Sequence, residues 1–488
     1  MNGDFETTSA VLRRLASAQP GRQAVIEDGT AYTYSRFARD LDRVHAAIDG
    51  WDLGPGALAA IEWRGLYRHW LLLLALSERG VATASYLPAE QRKNREILAD
   101  ADAVIADPSG APGGIGRLVP VDDGWWKETL SLKRPARFEA VVVDPSMPVR
   151  LVQSSGTTGV RKRMLRTHAN DEFRIGLHRD CLGLDSSSRF LVCMSFAMQG
   201  IYLGAQAALR QGALIVYRSG PEPWRAFRER RPSHATMLPI KLEALLDQMP
   251  EPAPKNGFLK ILIQGGTVSP ALRKKAREMI GADLIETYAT NEAGMIGVLA
   301  EDGAGSLLPG IEMILVDDAG NPVEKGSGLV RVRTPGLVAN FHNDEKTSAR
   351  LFRGGWFQPG DLAEMPAPGR FRLIGRSDDL QNYRGVKFLP DYFERALRER
   401  LEVADLCVTV QPGSDPGFWV LFAPKAGGAD GRKVAEVAYE VLPKALGRIG
   451  ILPVRSLPRT ETGKLRREEI ASTFGRKLAA EQTGKEIG

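Results

Sequence analysis

The residue types best suited to chemistry stand together in Leu151-Val152-Gln153-Ser154-Ser155-Gly156-Thr157-Thr158-Gly159-Val160-Arg161-Lys162. The apolar run over 148–152 predicts a strand. It feeds a loop of small hydroxylated residues that ends in two cations. Gly156 and Gly159 let the backbone turn tightly and come close to a ligand. Consecutive loop N–H groups can then line a concave anion site. Ser154, Ser155, Thr157 and Thr158 add hydroxyl donors, and Lys162 adds a compact positive charge. This donor set suits a polyphosphate. The spacing is not that of a Walker A loop, which needs G-x-x-x-x-G-K-[ST]. Ser, Thr and Gly also cluster in ordinary surface loops, so the stretch alone leaves both readings open.

Four later stretches bear on the choice. They are Tyr288-Ala289-Thr290-Asn291-Glu292, Trp356-Phe357-Gln358-Pro359-Gly360-Asp361, Gly375-Arg376-Ser377-Asp378-Asp379 and Pro458-Arg459-Thr460-Glu461-Thr462-Gly463-Lys464-Leu465-Arg466. Three of them have an ordinary structural reading. Glu292 could satisfy the dipole at a helix N-terminus. Asp361 after Gly360 could be a turn residue, and Lys464 a solvated charge in a basic tail. Taken one at a time these readings prevail; the order in which the stretches occur favours chemistry.

The elements that position them follow from pattern and bulk composition. The 488 residues, 43% hydrophobic and 25% charged, correspond to about three domain-sized units of a globular protein. Cys181, Cys193 and Cys407 are isolated, which excludes a disulfide framework or a zinc site of C-x-x-C type and favours a cytoplasmic setting. The N-terminus is acidic and lacks an apolar core, so no secretory signal is expected. The longest apolar run, 70–76, is too short to span a bilayer. A net charge of +6 favours anionic ligands, but it is too diffuse to indicate a nucleic-acid partner.

Helical spacing over 8–18 is followed by a hairpin around Asp28-Gly29 and a helix that Ser35 could cap. Strands at 58–61, 82–85 and 103–105 alternate with helices, and the alternation resumes from 167 to 288 with strands at 190–195, 213–217, 235–238 and 261–263. The fold class expected is α/β: a large N-terminal domain of two α/β sheet layers plus a small β unit from about 297. A small α+β C-terminal domain follows. The domain bounds expected are 1–377 and 378–488.

Together, these motifs in this order resemble the adenylate-forming superfamily of acyl- and aryl-CoA synthetases, stand-alone adenylation domains and luciferases. By that resemblance the chain binds ATP and Mg²⁺. Ser154, Ser155, Gly156, Thr157, Thr158, Gly159 and Lys162 would hold phosphates. Gly265, Tyr288 and Ala289 would lie about adenine, Asn291 would contact the α-phosphate, and Glu292 would bind the metal. Thr167, His168 and Asn170 also fit the family pattern. Asp361 would accept from the ribose hydroxyls, Arg376 would reach ribose or α-phosphate, Asp378 would be the hinge, and Lys464 the catalytic lysine. Thr158, Asn291 and Glu292 would share in catalysis. Arg161, Ala289, Asn291, Pro359 and Asn382 stand where the family usually has Pro, Gly, Thr, Thr or Ser, and Lys.

The implied chemistry joins a carboxylic acid to AMP and then passes the acyl group to a thiol. The acid pocket would comprise Phe196, Ala197, Met198, Gly200, Gly266 and Thr290. No carboxylate stands between Phe196 and Gly200, where amino-acid-activating members usually carry an Asp, so an aryl or aliphatic acid is expected. Gly385 would line the thiol's path. Only about two dozen residues follow Lys464, so the thiol is expected in trans, from CoA or from the phosphopantetheinyl arm of a separate carrier protein. A non-catalytic nucleotide-binding homologue is the alternative of another class. A luciferase-type oxygenase is a third, for which nothing specific speaks.

Overall fold

The computed structural model describes residues 5–90, 94–111, 116–133, 135, 138, 144–154, 161–220, 222–254, 259–383, 386–411, 417–459, 465–467, 469, 470, 473 and 474. The chain forms two compact units. The first comprises Met1–Leu299, Leu307–Glu312 and Val332–Phe357, and the second Ala300–Ser306, Met313–Arg331 and Gln358–Gly488.

Two sheets organise the first unit. One runs Leu118–Pro120, Ala103–Ala106, Leu58–Glu62, Ala82–Tyr86, Pro148–Gln153, Arg163–Thr167 in spatial order. It is parallel except for the last pair, which is antiparallel. Leu58–Glu62 and Ala82–Tyr86 are buried at every position, as parallel strands covered on both faces must be. The other sheet sets six parallel strands side by side: Gln23–Glu27, Leu214–Tyr217, Arg189–Val192, His234–Met237, Leu259–Ile263 and Ala282–Thr290. Antiparallel Thr30–Thr33 and Gly294–Leu299 flank them. The expected mixed α/β class with two sheet layers is what the chain forms. The apolar run at 70–76 lies in the helix Leu66–Glu78, whose residues are buried nearly all round. No helix among the described residues is long and apolar enough to cross a membrane.

Two local expectations change. Thr33, not Ser35, caps the helix Tyr34–Ala47: its hydroxyl accepts from Arg36 N at 3.1 Å. The hairpin strand ends at Thr33 in extended backbone, so the helix starts two residues sooner than Ser35 would allow. The stretch after Tyr288 enters no helix. Asn291, Glu292 and Ala293 turn the chain between antiparallel Ala282–Thr290 and Gly294–Leu299. The helix-dipole reading of Glu292 therefore falls.

In the second unit, Asp361–Ala367 pairs antiparallel with Arg370–Arg376, and Ser327, Gly328 and Leu329 pair with Glu364, Ala363 and Leu362. This pairing draws segments before residue 358 into that unit. Further on, Phe418–Pro424 lies between antiparallel Val403–Val410 and parallel Ile449–Pro453. The helices Pro390–Arg398 and Gly431–Val441 bury Phe393, Leu397, Val434 and Val437 in one core with Leu406, Phe418, Val420 and Phe422.

Candidate active site

The strand Pro148–Gln153 and its antiparallel neighbour Arg163–Thr167 make the loop between them a hairpin connection. Its base is closed twice. Ser154 N donates to Lys162 O at 2.8 Å, and Lys162 N donates to the Ser154 hydroxyl at 3.1 Å. Ser155, Gly156, Thr157, Thr158 and Gly159 lie outside the described residues, as do Gly385 and Lys464.

The Asn291–Glu292 turn comes to the base of this loop. Asn291 Nδ2 donates to Gln153 O at 3.3 Å, across 138 residues of sequence. Lys162 is close enough to act on the charge of Glu292, and its ammonium sits 5.0 Å from the centroid of Phe341. Burial pushes the Glu292 carboxyl above the usual carboxylate range, while Lys162 and Arg174 pull the other way. Thr290 closes the turn, its hydroxyl accepting from Ala293 N at 3.0 Å. Ala289 is half-buried, and Tyr288 is 7% exposed.

Arg174 sets the position of the turn. It is buried on the helix His168–Leu182. Its guanidinium donates to Asn291 O at 3.0 Å, to Glu292 O at 2.6 Å, and to Gly336 O from both Nε at 2.9 Å and Nη2 at 2.7 Å. The helix is held at its start by a capping box. The Thr167 hydroxyl accepts from Asn170 N and Asn170 Oδ1 accepts from Thr167 N, while Asn170 Nδ2 reaches the carbonyls of Pro335 and Leu337 at 3.1 and 3.0 Å. Such a cap contributes about 1 kcal/mol. Sequence reasoning passed over Arg174. The available signal was the polar row His168, Asp171, Arg174 and His178, which repeats at helical spacing and is wholly buried.

The two stretches expected to form the acid pocket also meet. Gly265 and Gly266 follow the strand Leu259–Ile263, and both are exposed. Ala197, Met198 and Gly200 are half-buried. A Cβ on Gly200 would fall on the amide oxygen of Gln264, so the glycine makes room for that side chain. Phe196 was expected on the pocket wall. Its ring has no exposed surface and packs with Trp63, Trp70 and Tyr202 at centroid distances of 5.3, 5.2 and 5.5 Å, so it belongs to the core. Its carbonyl accepts from Arg150 Nη2 at 3.1 Å, which ties this stretch to the strand Pro148–Gln153.

The second unit gathers another set. Asp361 and Arg376 face each other as partners in the antiparallel pair, with Arg376 Nη1 3.2 Å from Asp361 Oδ1 and 2.8 Å from Pro359 O. Nη2 donates to Asp378 at 3.0 Å. Burial works against the Arg376 charge, but Asp361 and Asp378 hold the guanidinium above its ordinary value. Ser377 N and Oγ both donate to Gly360 O, at 2.8 and 2.9 Å. The flanks of 460–464 are anchored too. Arg459 bridges to Leu465, Arg459 Nε donates to Asp405 at 2.7 Å, and Arg467 Nη1 donates to buried Glu394 at 2.9 Å.

For a metal, Glu292 offers one desolvated carboxylate. Among the described residues no three His, Cys, Asp or Glu side chains cluster. Mg²⁺ is commonly held by one or two carboxylates together with substrate phosphates and water. A lone buried carboxylate whose turn meets the base of the hydroxyl-rich loop fits that demand.

The AMP-binding enzyme family matches residues 12–341 of the chain. Indoleacetate–CoA ligase of Aromatoleum aromaticum is 24% identical, over 96% of this chain and 98% of its own. Triostin synthetase I of Streptomyces triostinicus is also 24% identical, over 92% and 91%. Among solved structures, ATP-bound MatB from Rhodopseudomonas palustris aligns with a TM-score of 0.82 at 18% identity, covering 96% of this chain and 99% of that one. O-succinylbenzoate coenzyme A synthetase, MenE, from Bacillus subtilis in complex with AMP gives 0.80 at 19%, covering 94% and 97%. These two share the fold.

Proposed function

The chain belongs to the AMP-binding enzyme family, and from that premise we propose that it is an acid–thiol ligase that couples a carboxylic acid to CoA while ATP is cleaved to AMP and pyrophosphate. One observation carries the reading: the Asn291 amide reaches the carbonyl of Gln153, bringing the Glu292 turn to the base of the hydroxyl-rich loop. The name of one relative, indoleacetate–CoA ligase, agrees with it.

In the first step a carboxylate oxygen bonds to the α-phosphorus of ATP. The bond from that phosphorus to the β-phosphate oxygen breaks, and pyrophosphate leaves. Charge accumulates on the phosphoryl oxygens, so fixed donors and cations lower the barrier. Asn291 has two amide hydrogens. The one on Gln153 O fixes the amide, and the other serves an α-phosphate oxygen. Lys162 and the loop hydroxyls serve the outer phosphates. Mg²⁺, when bound at Glu292, neutralises phosphate charge. Lys464 supplies a further cation in this step. In the second step the thiol sulfur bonds to the acyl carbon, AMP departs with the former carboxylate oxygen, and the thiol proton is released.

Asp361 and Arg376 serve the ribose, and Asp378 is the pivot about which the C-terminal part turns between steps. Gly385 leaves room for the pantetheine arm. The acid is aryl or aliphatic, since the half-exposed surface at Ala197, Met198 and Gly200 offers no carboxylate to an α-amine. The test is acid-dependent ATP–pyrophosphate exchange over a panel of acids, followed by thioester assay with CoA and with a holo carrier protein as acceptors. Exchange with an acid, and thioester with CoA, is expected. No exchange with any acid leaves a nucleotide-binding homologue without catalysis. Thioester formed only on the carrier protein replaces CoA as the acceptor.

A further inference from the structure

Gln264 lies between the two halves of the acid pocket, and its amide is oriented by a chain of hydrogen bonds that starts at the phosphate turn. Arg174, which holds Asn291 and Glu292, is itself approached by His178: His178 Nδ1 lies 2.9 Å from Arg174 O. A carbonyl only accepts, so Nδ1 carries the proton. Burial keeps this ring neutral, lowering its pKa to about 4. A neutral imidazole has one N–H, so Nε2 is a bare acceptor. Gln264 Nε2 lies 3.3 Å from His178 Nε2. The amide must therefore direct its NH₂ to the histidine and its oxygen the other way, a choice that the hydrogen-bond network alone makes.

That oxygen occupies the space over Gly200 where any side chain would sit. Half-buried Ala197 and Met198 stand shortly before Gly200 in the chain, and exposed Gly265 and Gly266 come directly after Gln264. Among the described residues the structure gives this oxygen no hydrogen-bond donor. It is a neutral acceptor set in a surface of small and apolar groups. An ammonium would lose its hydration there with no counter-charge in return. A hydroxyl or a neutral N–H would lose far less and would satisfy the amide.

We propose that Gln264 is a specificity-determining residue, its amide oxygen accepting a hydrogen bond from a neutral hydroxyl or N–H on the body of the acid substrate. This rests on the acid-activating reading above, and it narrows the substrate class to acids that carry such a donor.

Matched acids that differ in one donor test it: 4-hydroxybenzoate against benzoate, 4-hydroxycinnamate against cinnamate, and indole-3-acetate against 1-naphthaleneacetate. Each pair is measured as kcat/KM for pyrophosphate exchange and as acid-induced thermal stabilisation. A site built around an acceptor disfavours a ligand that leaves it unpaired. For at least one pair the donor-bearing acid should be favoured about 10- to 100-fold. In Gln264→Met, which keeps length without the acceptor, that ratio should fall to within about threefold of one, chiefly through a higher KM for the donor-bearing acid. Gln264→Leu should agree, and the KM for ATP should hold in both. The wild-type ratios test the proposal even if a variant misfolds. Exchange with acids but with no donor preference in any pair overturns this inference alone. So does a preference that survives in both variants. Neither exchange nor stabilisation with any acid overturns the acid-activating reading and this inference with it.

Discussion

Arg174→Met removes the guanidinium that holds the Asn291–Glu292 turn and leaves a shorter, uncharged side chain in its place. Three carbonyls, those of Asn291, Glu292 and Gly336, lose charged donors. An orphaned buried acceptor costs about 1–3 kcal/mol, so the loss is about 3–9 kcal/mol before any relief. Relief comes from no longer burying a charge. That cost is real, since burial lowers the Arg174 pKa to about 9. The net destabilisation should be about 3 kcal/mol, in line with removing one member of a buried charged network. The catalytic effect should be larger than stability explains. Displacing the turn by about 1 Å can cost about 100-fold in rate, so pyrophosphate exchange should fall by about that factor in the fraction that remains folded. Transfer of a supplied acyl-adenylate to CoA should fall much less. Arg174→Lys keeps the charge but not the fork that reaches three carbonyls, and should recover only part of the loss. The assay is exchange at saturating acid with Mg²⁺ titrated, alongside thermal unfolding. Exchange within threefold of wild type in folded Arg174→Met would refute the reasoning.

Lys464→Ala should lower acyl-adenylate formation by orders of magnitude yet spare thiolysis of supplied acyl-adenylate; equal loss in both assays would remove Lys464 from its proposed place. Proline fixes φ near −65°, so Asp378→Pro should leave adenylation largely intact while thioester formation drops and acyl-adenylate accumulates on the enzyme; wild-type thioester synthesis would put the pivot elsewhere. Acid should weaken the fold through two buried rings, His69 and His178, which burial and nearby arginines hold neutral, at about 3 and about 4. The unfolded chain takes up these protons below about pH 6.5 and the folded chain does not. Stability is therefore complete above 6.5 and falls by about 1.4 kcal/mol per pH unit for each ring toward those lower values. A urea midpoint that is flat from pH 6.5 to 5 would contradict this, and His178→Gln should lessen the slope.

Composition and periodicity by themselves determined the α/β class, the strand ahead of the Ser154–Lys162 loop, and most strands and helices of both sheets, while the adenylate-forming group was read from the resemblance of the motifs. These are local properties. A parallel strand buried on both faces must read as an apolar run, as 58–61 does, and a phosphate loop must carry its glycines and hydroxyls side by side. The motifs were legible for the same reason, since each packs its chemistry into a few consecutive residues.

Tertiary structure decided what those residues touch. Nothing near Glu292 distinguishes a helix start from a hairpin turn, because the difference lies in whether Gly294–Leu299 pairs back on Ala282–Thr290. The cap of the second helix fell to Thr33 rather than Ser35 because the hairpin ends there. Phe196 went into the core because Trp63 and Trp70, from a stretch far earlier in the chain, pack on it alongside Tyr202. Arg174 reaches its carbonyls across 117 to 162 residues, and Gln264 meets His178 across 86. Such contacts leave no periodic trace. A buried arginine or glutamine reads as a surface residue until the fold supplies the carbonyls and the ring that take its hydrogen bonds.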